Sequence, residues 1–154
     1  MAVTTAQITN TAWEEIYNLL VDNITDPATR GFGNEGRWIF DTMPSVRSSG
    51  DWPDYPIITI KCTLPDSMAI TVGSSQKRLY NAKFEIVAHS SKAEQSKILI
   101  DSIFDILDAN QSTTTTAGLH QLVSEDGGKE TYIDEDRDKR VHMHTLVVRY
   151  KHYG

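Results

Sequence analysis

Trp13, Ile16, Tyr17, Leu20 and Ile24 recur at i, i+3, i+4, i+7 and i+11, one apolar stripe with the period of an α-helix. The spacing predicts a helix over 12–24, with Thr11 as N-cap and Glu14 reaching back to it in a capping box. Asp26-Pro27 ends it, because proline disfavours helical geometry in the residue before it. A second stripe of Ile100, Ile103, Phe104 and Leu107, widened by Leu99 and Ile106, predicts a helix over 92–109 with Ser91 and Glu94 as its capping box. The polar run "NQSTTTTAG" over 110–118 is expected to be a linker that packs no core.

Elsewhere the period is two. Ile58, Ile60, Cys62 and Leu64 alternate with Thr59, Lys61 and Thr63, the mark of a half-buried strand. Pro65-Asp66 reads as a turn into a short second strand carrying Met68, Ile70 and Val72 on one face. A third strand runs from Arg78 to His89, with Tyr80, Ala82, Phe84, Ile86 and Ala88 inward. After the second helix come "GLHQLVS" and, beyond a charged, glycine-bearing loop, "RVHMHTLVVRYKHY". The order α-β-β-β-α-β-β predicts an α+β domain, a mostly antiparallel sheet of about five strands with two helices on one face. Residues 26–56 hold four of the five prolines and form a long irregular loop after the first helix.

Composition narrows the function classes. The chain has 154 residues, enough for one domain with a real core, spanning 1–154. Its net charge of −6 argues against a general binder of phosphate backbones but is compatible with a non-adhesive path for DNA. A single cysteine, Cys62, rules out an intrachain disulfide and a Cys-based zinc site. No stretch approaches the roughly 20 apolar residues of a membrane helix. The N-terminus carries no signal-peptide pattern, so a soluble protein assembled in the cytoplasm is expected.

Candidate chemistry is sparse. "GFGNEG" over 31–36 spells the dinucleotide-binding string G-x-G-x-x-G, but a helix end and Pro27 precede it where a strand is required. His142 and His144 share a strand face and form a weak candidate metal pair, for which His89 or His120 would have to supply a third ligand. His152 has the same parity but lies about 27 Å beyond His144 along a straight strand. Asp134, Asp136 and Asp138 imitate the start of a calcium loop, yet Lys139 and Thr145 stand where Gly and Glu are needed. No G-x-S-x-G occurs, and Cys62 sits on the inward parity of its strand. No catalytic residue and no cofactor are expected, and the chain reads as a non-enzyme; the rival reading is a small α+β metal-binding protein or enzyme using His142 and His144.

The long loop concentrates aromatic residues. Phe32, Trp38, Phe40, Trp52 and Tyr55 lie among glycines, prolines and charges, and are protein-interface candidates. The alternative, that these rings cover one end of their own core, is equally open.

In the order of its elements the chain resembles the tail terminator (tail-completion, or head–tail joining) proteins of tailed viruses. The resemblance rests on "AWEEIYNLL", the long loop, "YPIITI", "RLYNAKFEIVAHS", "SKAEQSKILIDSIFDIL" and the final "VHMHTLVVRYKHYG". It implies a subunit of a homo-oligomeric ring, commonly a hexamer, in the tail or neck of a virion. Such a ring caps the tail tube, joins it to the head connector and lets DNA pass through its lumen without specific binding. The partners so implied are other copies of the chain, the tail tube protein and the connector, with no membrane.

Overall fold

The computed structural model describes residues 5–30, 37–44, 54–72, 75–135 and 138–153, and side chains over 12–30, 37–44, 54–63, 81–135 and 138–151. Helix α1 (Thr5–Asn23) is followed by β1 (Ile39–Phe40), β2 (Ile57–Val72) and β3 (Ser75–Ser90). Then come α2 (Ala93–Ala109), α3 (Gln111–Thr116), β4 (Leu119–Asp134) and β5 (Lys139–Tyr153). The strands form one five-stranded sheet in the order β1-β2-β3-β5-β4. Among the described residues only the short β1–β2 pairing is parallel. The class is α+β, as the sequence leads one to expect.

Cross-strand register explains the core. Ile60 faces Ile86, Cys62 faces Phe84, Phe84 faces Val148, Ile86 faces Leu146 and Ala82 faces Tyr150. Partners opposite one another point to the same side of a sheet, so these residues make one apolar surface. Ile16 and Leu20 from α1 and Leu99, Ile103 and Leu107 from α2 close over it in a single buried cluster. Both long helices therefore lie on one face. The Trp13 indole N–H donates to the Ile60 carbonyl at 2.7 Å, docking α1 on the sheet just past the reach of β1. Trp13 also stacks on Tyr17, with ring centroids 4.9 Å apart.

Four local expectations are corrected. Helix α1 begins at Thr5, so Thr11 lies within it and does not cap it. Helix α2 starts after Lys92 with no side-chain cap at that position, so Ser91 and Glu94 form no capping box. Ser90 fills the role from the end of β3: its hydroxyl accepts the Lys92 N–H at 3.1 Å and donates to the Gln95 side-chain carbonyl. The chain does not turn back at Pro65-Asp66. Strand β2 continues through them to Val72, with an irregularity between Thr63 and Asp66, and pairs with β3 along its length. A bulge tolerates proline because no ladder hydrogen bond is asked of its nitrogen. Finally, the 110–118 segment is not merely a linker. It contains α3, and Thr114 is fully buried, its hydroxyl donating to the Gln111 carbonyl at 3.0 Å. A polar run can enter a core when its hydroxyls are satisfied locally.

Phe84 is fully buried and meets Tyr150 edge-to-face, centroids 6.0 Å apart, at the centre of this layer. Phe84→Ala is expected to cost about 3–5 kcal/mol. Urea denaturation followed by circular dichroism measures it, and a cost below about 1 kcal/mol would displace Phe84 from the centre of the core.

Candidate functional site

Behind the helices, the sheet has a second face, carried by odd-numbered positions of β2, β3 and β5. At one end of it Ile57, Val141 and His89 are buried. There a line of side chains crosses the sheet. Thr59 Oγ1 lies 3.2 Å from His89 Nε2, and His89 Nδ1 lies 3.4 Å from the Tyr132 hydroxyl. Tyr132 meets the Tyr55 hydroxyl at 3.5 Å, and Tyr55 donates to Asp134 at 2.7 Å. Burial pushes the His89 pKa down to about 4, so the ring is neutral at pH 7 and serves as one link in the chain. This line ties the end of the long loop to the β4–β5 hairpin.

The loop's other anchor is Arg30. Its guanidinium binds the Asp26 carboxylate at 3.0 and 3.1 Å, donates to the Pro56 carbonyl at 2.8 Å and to the Asp54 carbonyl. It also lies over the Trp38 ring, 5.4 Å from the centroid. Burial raises the Asp26 pKa, but the Arg30 side chain and the Ala28 and Arg30 N–H groups outweigh it and hold the carboxyl below its usual value.

These contacts locate the loop aromatics. Trp38 is fully buried in the domain's own core and is not available to a partner. Phe40 is half-buried, with the Arg37 guanidinium 5.0 Å from its centroid, and Tyr55 is half-buried in the polar line. The described rings thus form no common exposed patch; Phe32 and Trp52 lie outside the described residues. The "GFGNEG" segment also lies outside them, but no helix opens after it: Arg37 and Trp38 lead directly into strand β1.

His142 and His144 do share the helix-side face, but among the described residues no ligand set forms around them. His144 is buried, with Nε2 3.1 Å from Asp126, and His142 Nδ1 lies 3.5 Å from the Thr131 hydroxyl. His89 pairs with Met143 on the other face and His120 pairs with Lys151 near the far end of β5, so neither can serve as the third ligand. Among the described residues no three of His, Cys, Asp and Glu gather. Asp134, the first of the calcium-like trio, is engaged by Tyr55. Cys62 is half-buried, and burial pushes its thiol up to about 12, far from a reactive thiolate.

What the molecule leaves open is surface. Strand β4 is the sheet's edge, and from Val123 to Thr131 every residue is exposed. Val123 is 58% and Ile133 63% exposed. Toward the other end of the second face, Asn81, Lys83, Gln121, Val123, Arg149 and Lys151 line a groove of about 410 Å³. Lys83 pairs with Glu85 at 3.3 Å and Arg149 with Glu125 at 2.8 Å. Sequence reasoning passed over this groove, although its cations lie at matching odd positions of two strands. It also passed over the outer stripe of α2, which repeats at positions 94, 98, 101, 105 and 108.

No protein-family model and no curated protein matches the chain. Among solved structures, a chain of "Virion of native gene transfer agent (GTA) particle" is similar over 97% of this chain and 99% of that one, at 11% identity and a TM-score of 0.29. So low a score establishes neither a common fold nor a common role.

His89 gives a pH signature. Its folded pKa of about 4 lies below the ordinary 6.5, so its contribution to stability is full above pH 6.5 and is lost as pH falls through 4. The urea midpoint of the protein should drop across that window, and His89→Gln should flatten the drop. An equal pH dependence in the variant would assign the loss to other groups.

Proposed function

We propose that this chain is a non-enzymatic structural subunit of a virion, forming a ring that caps the tail tube and joins it to the head connector. The observation that carries the reading is β4: sixteen residues of edge strand, exposed on both faces over most of their length. Strands of globular domains usually run five or six residues, and long open edges invite pairing unless something covers them. On the other side, β1 pairs with only Ile58 and Thr59 of β2 among the described residues, and the Trp13 indole takes the Ile60 carbonyl beside them. A subunit built to meet its neighbours accounts for the long exposed edge of β4.

The order of elements, which resembles that of tail terminators, supplies the particular role. Interaction surface is plentiful in this chain, while the groups that would perform chemistry are tied up: His89 and His144 in hydrogen bonds, Cys62 as a thiol. The acidic balance suits a lumen through which DNA slides without sticking.

Sedimentation velocity and negative-stain images of the purified protein test the reading. Closed rings, populated alone or on adding tail tube protein, are the expected result. A protein that stays monomeric at high concentration and beside tube protein overturns it.

A further inference from the structure

Helix α2 carries an unusual outer face. Glu94, Ile98, Asp101, Asp105 and Asp108 are all exposed and fall on one stripe, opposite the buried Leu99, Ile103 and Leu107. Ile98 is 55% exposed at its centre. Asp105 and Asp108 lie toward the C-terminal end of the helix, where the macrodipole disfavours carboxylates, and the last turn has no basic residue to offset them. Local electrostatics therefore work against the C-terminal half of this stripe, whereas Glu94 sits at the favourable end and the exposed Lys97 lies one turn from both Glu94 and Asp101.

The groove on the second face carries the opposite charge. Lys83 and Arg149 stand directly opposite each other on β3 and β5, and the repulsion of like charges so placed is offset in part by Glu85 and Glu125, which pair with one cation each. Lys151 adds a third cation two positions along, and Val123 exposes an apolar side chain among them. The groove spans β3, β5 and β4, about 10 Å at strand spacing, which is the width of one α-helix.

We infer that the outer stripe of α2 in one copy of the chain docks in the Lys83–Val123–Arg149 groove of the next copy. This rests on the ring-forming reading and names its contact. Carboxylates of the stripe meet Lys83, Arg149 and Lys151, while Ile98 meets Val123. The two patches carry opposite charge around one apolar residue each. Because α2 covers one face of the sheet and the groove lies on the opposite face, the contact is front to back. It is heterologous, so it propagates from copy to copy, closes as a ring where the rotation between copies closes, and cannot close as a two-fold dimer. A nucleic-acid backbone suits the groove less well, because Val123 offers a phosphate nothing but gives Ile98 an apolar partner.

Two charge-reversed variants test the contact, D101K/D105K on the helix and K83E/K151E in the groove. All four positions are on the surface, and circular dichroism checks that each variant folds. In sedimentation velocity each variant alone should assemble roughly a hundredfold more weakly than the wild type, as facing like charges cost several kcal/mol. Mixing the two restores both contacts, because each supplies the surface the other has lost, and the quadruple variant should assemble by itself. If the wild type assembles and both variants assemble equally well, the docking is overturned while the ring reading stands. Failure of the mixture and of the quadruple variant to recover also overturns it. A wild type that never assembles removes both. Binding of short duplex DNA that K83E/K151E abolishes without touching assembly reassigns the groove to a polyanion.

Discussion

The pairing of β3 with β5 is the constraint on which the rest depends. It sets Ala82 against Tyr150, Phe84 against Val148 and Ile86 against Leu146, and so gathers the apolar residues of two distant segments on one side. A slip of one residue would turn that row to solvent and bring Lys83, Glu85 and Arg149 under the helices. Charges buried there without partners would cost far more than the slipped ladder could return. The two helices then have only one surface on which to bury their stripes, and the Trp13 bond to the Ile60 carbonyl fixes where α1 lies on it.

Putting both long helices on one side leaves the other to be covered by other means. At one end the chain does this itself: Tyr55 and Tyr132 bring the loop and the β4–β5 hairpin together over Ile57, His89 and Val141. At the other end β4 runs on as an exposed edge beside a cationic groove. The domain is therefore finished at one end of its second face and open at the other. That difference is what the proposed contact between copies draws on.

Periodicity alone reveals the elements that bury a stripe. Trp13 through Ile24, Leu99 through Leu107, and the alternations at Ile58 and Phe84 carry their period in the residues themselves. It fails where a local rule yields to tertiary context. Pro65 reads as a turn, because proline usually breaks a ladder, yet a bulge accommodates it within a sixteen-residue strand. The threonines of 110–118 read as a linker because their hydroxyls are polar, and α3 forms because those hydroxyls find acceptors within the segment. The expected aromatic interface fares differently at each ring. Trp38 goes inward because Arg30 covers its ring and Asp26 holds Arg30 in place, a three-body arrangement that no spacing encodes.

The acidic stripe and the cationic groove were both present in the sequence, but neither has meaning until the sheet gives it a side. Lys83 and Arg149 lie far apart along the chain and become a like-charge pair only through the β3–β5 register. Asp105 and Asp108 are ordinary surface residues until the helix direction puts them at its negative end. A fold that buried its core equally well could have carried neutral residues at these positions. An acidic stripe and a cationic groove on opposite sides of one domain are the two surfaces that the proposed head-to-tail contact pairs. A two-fold dimer would need both charges within a single self-complementary patch, and this chain keeps them apart by the thickness of the domain.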